Sequence, residues 1–482
     1  MVLAGCAVVL AAGPVRAAGP ALPAVQSRDF AATAAKLAVG SRLRLENVQV
    51  ANTGESQALV LERFDVFTKD AKITVHGDGG EKVLPPPANA YFRGVIDGRP
   101  ESRAFLARLE DGRTQGVISD GDDVYLIGGD ATAAKALGGP LEMHRVDPVL
   151  LKAARGEAFT CGNSQIPGLA GKGAVALDLG DVTAAPQEKE TAAATPAHSA
   201  RVAIETDFEY YSLFNNVTNA TNYATNLIGY ASTIYTAELN TSLVVSSIEL
   251  WQTSGDPWTQ TSTLCGLLEF GKYWNQNKTG VSRTIAHFLS GKSLGGGIAW
   301  LNALCHGPFF SGGASSCPAL GSETAWGGDY GFTANIGGTF DINNPTVVWD
   351  IYSTSHEIGH NFGSPHSHCY NGLEGNASPI DQCYGSEQSC YSGATSLPGP
   401  GRSGTIMSYC HLLGGYGAIA LTFGTNFSFG VQPGREALHM NNYISSVASS
   451  NPACIAPVNV AGIFSDGFEG GAVPGLWSGK TP

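Results

Sequence analysis

The stretch His-Glu-Ile-Gly-His-Asn-Phe-Gly-Ser-Pro-His, which runs from His356 to His366, decides the fold of the C-terminal half of the chain. Residues 346–355, just before it, contain neither Gly nor Pro and predict the first turns of a helix. On that helix His356 and His360 are four positions apart, so their Cβ atoms lie roughly 5–6 Å from each other on one face. This spacing suits two imidazoles that bind one metal ion.

The residues after the helix bring a third histidine to the same metal. Gly363 lets the backbone take a left-handed turn that ends the helix, and Pro365 prevents the helix from resuming. The chain then reverses, so His366 can reach the metal from outside the helix. Three neutral imidazoles with one open position are typical of a catalytic Zn²⁺ site rather than a structural one. Glu357 leans aside from His356, where its carboxylate can reach a water molecule rather than the metal.

A second element follows downstream, the stretch from Gly404 to Cys410 with Met407 at its centre. The chain has only four methionines, so one in this context is informative. The histidine motif followed by such a Met-turn is the metzincin signature. The alternative, in which these histidines are ordinary surface residues of a helix, is disfavoured by the length of the combined motif.

Composition limits the classes of function. A chain of 482 residues predicts more than one domain. The net charge of −13 argues against nucleic acid or an anionic membrane surface as a partner, because both reward Lys and Arg. After the N-terminus no apolar run approaches the roughly 18 residues that a transmembrane helix needs.

The N-terminal residues 1–18 resemble the apolar part of a secretory signal, although the basic residues that usually precede it are missing. The sequence therefore predicts a secreted, extracellular protein. The residues around Cys6 also resemble a lipidation motif, which leaves open a lipid anchor at Cys6 if the true start lies upstream.

The cysteines agree with export to an oxidising compartment. Of ten cysteines, eight lie between Cys265 and Cys454, around the histidine motif, and we expect them to form four disulfides. Eight cysteines allow 105 pairings, so the connectivity is not derivable, but the short separation favours Cys383–Cys390. Cys161 stands alone.

The chain divides into segments of different pattern. After the signal-like segment, residues 19–160 predict a β-rich domain of short strands, and residues 161–199 have the composition of a linker. Residues 200–455 alternate strands and helices, which indicates an α/β domain with a mainly parallel sheet. Residues 456–482 resemble an appended tail, and their Gly and Pro content predicts weak order.

The position of Cys161 suggests inhibition. A thiolate is a strong zinc ligand and could fill the open metal position until the linker is cleaved. This interpretation explains both why Cys161 stands apart from the eight clustered cysteines and why it lies before the linker. The alternative is that Cys161 pairs with one of the other eight cysteines and leaves a different one free.

Over residues 200–455 the chain resembles the adamalysin/reprolysin-type zinc metallopeptidases, a branch of the metzincins. The motif from His356 to His366 carries the resemblance, and Asn361-Phe362-Gly363 is typical of that branch. Thr160-Cys161-Gly162 resembles the cysteine switch of the family, and the β-rich segment is similar, more weakly, to its pro-domain.

The resemblance implies roles for individual residues. These roles are zinc ligands (His356, His360, His366), general base and acid (Glu357), hydrophobic floor of the Met-turn (Met407), inhibitory switch (Cys161) and substrate-holding edge strand (Gly297, Ile298, Ala299, Trp300). Ser367 follows the third histidine where the branch often has Asp, which predicts looser support of the Met-turn. Tyr409 lies two residues after Met407, a spacing similar to astacins and serralysins, and is a possible transition-state donor.

The sequence thus predicts a secreted zinc endopeptidase, made as an inactive monomeric precursor that another protease activates and that acts on proteins or peptides. Two alternatives stay open. One is an astacin- or serralysin-like metzincin, which Tyr409 favours and Asn361-Phe362-Gly363 disfavours. The other is a non-catalytic, zinc-bearing binding or adhesion module, which the intact Glu357 disfavours. A structural Ca²⁺ ion is compatible with the sequence but not derivable from it.

Overall fold

The computed structural model describes residues 22–121, 123–128, 139–153, 159–165, 196–309, 316–321, 326–399, 403–424 and 434–458. The signal-like segment with Cys6 lies outside the described residues, as do residues 166–195 of the predicted linker and residues 459–482 of the predicted tail. The predictions for these segments therefore stay predictions.

The N-terminal half forms a closed β-barrel. Its strands are β2 (Arg42–Val50), β3 (Ser56–Phe64), β6 (Ala90–Ile96), β7 (Arg99–Arg108), β8 (Thr114–Asp120), β9 (Asp123–Ile127) and β10 (Glu142–Arg145), and a short β1 (Ala24–Gln26) adds to β2. The strand order is β2-β10-β9-β8-β7-β6-β3, and β2 pairs with β3 to close the ring. Closure removes the exposed sheet edges on which other chains could pair.

The barrel is filled by alternate residues of its strands, as the two-residue period of a strand requires. Leu106 of β7 and Ile118 of β8 point into the interior, where Phe30 packs edge-on against Phe92 at 5.1 Å between ring centroids. Phe105, next to Leu106 in the chain, points outward and is nevertheless buried. One outer face of the barrel must therefore be covered by the rest of the protein.

The second sheet is mixed and mainly parallel. Its strands are β4 (Phe67–Gly77), β5 (Gly80–Leu84), β11 (Thr160–Cys161), β12 (His198–Thr206), β13 (Thr241–Trp251), β14 (Ile285–Leu289), β15 (Gly296–Ala299), β16 (Tyr330–Thr333) and β17 (Ile455–Pro457). They lie in the order β11-β15-β16-β14-β12-β13-β4-β5, and β17 pairs with β12. The central pairings β4–β13, β12–β13, β12–β14 and β14–β16 are parallel. The predicted mainly parallel α/β sheet is confirmed.

This sheet takes strands from both halves of the chain. The hairpin β4–β5 comes from the middle of the β-rich segment, yet β4 pairs with β13 of the C-terminal half and not with the barrel. The segment that the sequence sets apart at residues 19–160 thus contributes a barrel and also two strands of the other sheet.

The helices lie on and around this sheet. They are α1 (Phe30–Ala34), α2 (Pro148–Ala153), α3 (Phe208–Ser212), α4 (Val217–Leu239), α5 (Thr263–Asn277), α6 (Thr346–Asn361), α7 (His411–Gly414) and α8 (Arg435–Ser450). Helix α4 begins where the Asn216 side chain accepts a hydrogen bond from the Asn219 amide and ends at Asn240 in left-handed conformation. Among the described helices, none is long and apolar enough to cross a membrane.

Four disulfides hold the C-terminal half together, as predicted. They are Cys265–Cys317, Cys305–Cys454, Cys369–Cys390 and Cys383–Cys410. The predicted Cys383–Cys390 pair is wrong, because each of these cysteines bridges instead to a residue that flanks the histidine motif or the Met-turn. Cys161 is a free, buried thiol.

Candidate metal centre

Four side chains meet at the end of α6. The ligand atoms of Cys161, His356, His360 and His366 all lie within 4.8 Å of one another, and all four residues are buried. His356 and His360 face the same side of the helix, with their Nε2 atoms 3.2 Å apart. Gly363 takes a positive φ of 99°, as the sequence predicted, and the chain reverses so that His366 returns to the site.

The outer nitrogen of each ring fixes its orientation. Nδ1 of His356 donates to the Ile406 carbonyl at 2.7 Å, and Nδ1 of His360 donates to the Ser364 carbonyl at 2.7 Å. Nδ1 of His366 lies 2.7 Å from the Glu387 carboxylate. Each Nε2 is then an acceptor turned toward the common centre, and Nε2 of His366 has no hydrogen-bond partner there. This is the arrangement that metal-binding imidazoles adopt, so the residues fit a divalent metal ion.

Burial keeps the histidines in the form that a metal needs. Desolvation lowers the pKa of His356 and of His360 well below the ordinary value, and the neighbouring imidazoles lower it further. Neutral imidazole is the ligand form, because a protonated ring has no free lone pair at Nε2.

Glu387 is a site residue that the sequence did not reveal. Its carboxylate holds both His366 Nδ1 and, at 2.8 Å, His368 Nε2. Burial alone would raise the pKa of Glu387, but the interactions with His366 and His368 outweigh it and hold the pKa below its usual range. Glu387 lies in a loop without periodic pattern, so only the fold brings it to the third histidine. His368 contacts this carboxylate and is not part of the four-residue group.

Glu357 lies beside the centre and against the predicted edge strand. A Cβ atom added to Gly297 would lie 2.5 Å from Glu357 Oε1, so the absence of a side chain at Gly297 makes room for the carboxylate. The same Oε1 atom is buried without a hydrogen-bond partner. Burial raises the pKa of Glu357 well above its ordinary value, and the hydrogen bond from Cys161 opposes this shift. A carboxylate in such surroundings is suited to take up and return a proton.

Strand β15 contains three of the four predicted edge-strand residues, and Trp300 follows it. The strand pairs with β16 in antiparallel direction and, on its other edge, with β11 in parallel direction. Asn361 at the end of α6 donates to the carbonyls of Trp300 and Tyr330, at 2.9 and 3.0 Å. This amide therefore fixes the helix that carries the histidines to the strand beside them.

Cys161 lies where the three histidine side chains converge. Its Sγ atom is 3.4 Å from His360 Nε2 and 3.4 Å from Glu357 Oε2. Asn163 stabilises this turn, because its Oδ1 atom accepts from both the Ala299 amide and the Cys161 thiol, at 2.9 and 3.3 Å. Burial and the charge of Glu357 raise the pKa of the Cys161 thiol. A divalent cation at the centre acts in the opposite direction, since coordinated thiols are deprotonated.

Two side chains after the Met-turn hold the backbone around Cys161. The Tyr409 hydroxyl accepts from the Cys161 amide at 2.9 Å and donates to the Cys161 carbonyl at 3.0 Å. Nε2 of His411 lies 2.8 Å from the Phe159 carbonyl, so this histidine contacts the segment that leads to Cys161. The transition-state role of Tyr409 stays a prediction.

Met407 is buried against Gly359, the residue before His360 in α6. A Cβ atom added to Gly359 would lie 2.5 Å from Met407 Sδ, so the thioether fits where this turn of α6 has no side chain. The Ser367 amide donates to the Met407 carbonyl at 3.0 Å, which links the third histidine directly to the Met-turn.

The expected weak support at Ser367 is replaced by a carboxylate from another helix. Glu436, in the first turn of α8, accepts hydrogen bonds from the hydroxyls of Ser367 and Thr405, the latter at 2.7 Å. Thr405 Oγ1 in turn accepts from the Met407 amide at 3.1 Å. The carboxylate that the branch often has beside the third histidine is here supplied from 69 residues further along the chain. The sequence offered no signal for this contact.

Comparison with known proteins agrees with this geometry. Three convergent histidines, a glutamate on the same helix and a methionine beneath it define a metallopeptidase site of the metzincin type. Residues 197–412 match the family model described as Metallo-peptidase family M12, so this part of the chain is similar to a family of peptide hydrolases.

The crystal structure of metalloproteinase-II from Bacteroides fragilis is similar at 14% identity and a TM-score of 0.35, over 72% of this chain and 90% of that chain. No curated protein matches the sequence. The identification therefore rests on the family match and the site.

The burial of Glu436 predicts a pH dependence of stability. Burial raises its pKa to about 8, although the bonds from Ser367 and Thr405 oppose the shift. Between the ordinary pKa and about 8 the folded protein binds more protons than the unfolded chain, so stability falls as the pH rises through this window. Each unit of separation between the two pKa values is worth about 1.4 kcal/mol. Glu436→Gln mimics the neutral acid, so its stability should not fall with rising pH in this window.

The measurement is the free energy of unfolding in urea at pH 5, 7 and 9. As the pH rises, the free energy of unfolding of Glu436→Gln should increase relative to that of the wild type. The matched control is Glu209→Gln, since Glu209 is exposed. Parallel pH curves for Glu436→Gln and the wild type would show that Glu436 is ionised in the folded protein.

Proposed function

We propose that this chain is the precursor of a secreted zinc-dependent endopeptidase, kept inactive by Cys161. The observation that carries the proposal is the convergence of three histidine Nε2 atoms and one cysteine thiol beside a buried glutamate. The cluster has the nitrogen and sulfur donors that zinc prefers. The four disulfides support the export of the protein to an oxidising compartment.

His356, His360 and His366 would hold the zinc ion. When bound, zinc supplies a Lewis acid that polarises a peptide carbonyl and makes a neighbouring water more acidic. Glu357 takes the proton from the attacking water and gives it to the leaving amine. Strand β15 holds the substrate in extended form through main-chain hydrogen bonds, on the edge that β11 covers in the precursor.

Replacing Glu357 tests the chemistry. Glu357→Gln keeps the shape of the side chain but removes the base, so kcat on casein should fall by about 10²–10⁴-fold after activation. Zinc content, measured by atomic absorption, should stay at the wild-type level because Glu357 is not a ligand. The matched control is the exposed Glu209→Gln, which should keep full activity. A Glu357→Gln protein that cleaves casein at the wild-type rate would refute the mechanism.

The same assay separates the proposal from one of the two alternatives. A non-catalytic binding module would bind zinc but show no chelator-sensitive cleavage of casein in any form. An astacin- or serralysin-like enzyme would also cleave casein; for that reading Tyr409 is the relevant residue. Its hydroxyl contacts the Cys161 backbone in the precursor and becomes available only when that segment leaves.

Inhibition by Cys161 has a distinct prediction. In Cys161→Ser a hydroxyl replaces the thiolate, which is the much stronger zinc ligand. The uncleaved variant should therefore hydrolyse a fluorogenic peptide at least about tenfold faster than the uncleaved wild type. Thr160→Ser, one residue away on the exposed side of the strand, is the matched control and should stay inactive. A Cys161→Ser precursor that hydrolyses the peptide as slowly as the wild-type precursor would refute inhibition by Cys161.

The residue before the switch suggests a substrate preference. Phe159 is fully buried, and its ring packs edge-on against Tyr352 and His356, with centroids 5.6 and 5.3 Å away. Its third aromatic neighbour is His411, at 6.1 Å. The pocket lies beside a proposed zinc ligand, so after activation it would receive a substrate side chain next to the scissile bond.

Peptide substrates that differ at one position next to the scissile bond test this preference. Burial of a Phe side chain contributes roughly 1.5–3 kcal/mol, so Phe should raise kcat/KM about 10- to 100-fold over Ala. The assay uses activated enzyme and pairs of otherwise identical peptides, with Asp as the unfavourable control. Equal rates for Phe and Ala would show that the Phe159 pocket does not receive substrate.

A further inference from the structure

The barrel and the peptidase half share a hydrophobic core. Phe105 and Val117, on the outer face of the barrel, belong to the same buried cluster as Leu227 and Ile228 of α4. Helix α4 packs on β13 with one side and on β6 and β7 with another. Almost all of its residues from Ala220 onward are buried. The helix is therefore covered by its own sheet and by the barrel together.

The contact between helix and barrel is close because Gly229 has no side chain. A Cβ atom added at Gly229 would lie 2.5 Å from the ring of Phe105. The glycine lies in the middle of a helix, where it costs stability relative to Ala. That cost is offset only in a protein whose helix keeps the aromatic ring against it.

Buried polar groups are also paired across this contact. Arg93 donates to Thr236 Oγ1 at 2.9 Å, and the Tyr230 hydroxyl donates to Ser119 Oγ at 2.8 Å. Arg103 lies 3.7 Å from Glu238 in an ion pair that is almost completely buried. A buried charge that loses its partner strongly destabilises a protein. Loss of the barrel would thus remove Arg103 from a carboxylate inside the peptidase half.

Glu238 connects this contact with the wall of the active site. The same carboxylate accepts from the Thr422 hydroxyl and from the Phe423 amide, both at 2.9 Å. These residues follow the Met-turn, and the Ile406 amide, which precedes Met407, donates to the Thr422 carbonyl. The Arg103–Glu238 ion pair thus connects the barrel with the backbone that supports the metal centre.

Strand β4 makes a second, separate attachment. It pairs in parallel with β13 along the stretch from Lys72–Ser247 to His76–Trp251. The His76 ring stacks on Trp251 at 4.0 Å between centroids, and its Nε2 atom lies 2.8 Å from Glu249 Oε2. His76 therefore docks the hairpin on the peptidase sheet. Without β4, strand β13 would lie at the open edge of that sheet.

We propose that the N-terminal unit, residues 22–153, stays bound as a non-covalent subunit after the chain is cut between Cys161 and the peptidase half. A consequence follows for inhibition, and it rests on the proposed function. The strand with Cys161 remains attached to the retained unit through residues 154–158, which keeps its effective concentration at the site high. One cut in residues 166–195 therefore leaves the enzyme inhibited, and a second cut between the unit and Phe159 is needed for activity.

The experiment uses the full-length precursor with inserted recognition sites for a highly specific protease. One form carries a site within residues 166–195, and the other carries a second site within residues 154–158. After digestion, both forms are passed over a size-exclusion column without denaturant and assayed with a fluorogenic peptide. We expect the N-terminal unit to co-elute with the peptidase half in both forms, and the singly cut form to have less than about a tenth of the activity of the doubly cut form.

The readouts distinguish the possible failures. An N-terminal unit that elutes alone after the single cut, or a singly cut enzyme with full activity, would overturn the proposal. Co-elution with an inactive doubly cut form would support retention and contradict the peptidase function. Phe105→Ala should speed the loss of the unit after cutting at least about tenfold, whereas Val83→Ala, at an exposed position of the hairpin, should not. Equal retention in both variants would exclude the α4 contact as the cause.

Discussion

The metal centre depends on three hydrogen bonds that point away from it. Each imidazole is oriented by an acceptor on Nδ1, and the acceptors come from the Met-turn, the turn after α6 and the disulfide-bridged loop with Glu387. Because the rings are buried, an unpaired Nδ1 would cost roughly 1–3 kcal/mol. The three segments must therefore be folded around α6 before the Nε2 atoms converge. This explains why two of the disulfides, Cys369–Cys390 and Cys383–Cys410, bind the Glu387 loop to the motif and to the Met-turn.

The sequence predicted those parts of the site that are local in the chain. The helix with His356 and His360, its end at Gly363 and the return of His366 all follow from spacing and backbone preference. Glu387 and Glu436 were missed because they reach the site from 21 and 69 residues away, and a carboxylate in a loop or a first helical turn has no distinctive pattern. The wrong Cys383–Cys390 pairing has a related cause. Sequence separation sets the entropy of a closed loop, but the fold decides which sulfur atoms meet.

The division of the chain into domains shows the same limit. Alternating apolar residues correctly predicted strands in the N-terminal half, yet nothing in Phe67–Gly77 distinguishes a barrel strand from a strand that pairs with β13. A signal for the shared core was nonetheless present in α4. From Ala220 to Leu239 this helix carries a single charged residue, Glu238, and a helix without a charged face is one that is covered on all sides. One sheet can cover only one of those sides.

Under the proposed inhibition, the shared core would also explain how so short a strand can keep the site closed. Strand β11 is only two residues long. Its contacts with the site include the pairing with β15, the hydrogen bonds of Tyr409 and His411, the burial of Phe159 and the Cys161 thiol. A free peptide of this length would lose most of that energy to its own ordering and to lost translational freedom. Attachment to a firmly docked barrel removes most of this cost, since the strand is already held close to the site. In the proposed precursor, the strength of inhibition would therefore depend on the contact of Phe105 with Gly229 as well as on the sulfur of Cys161.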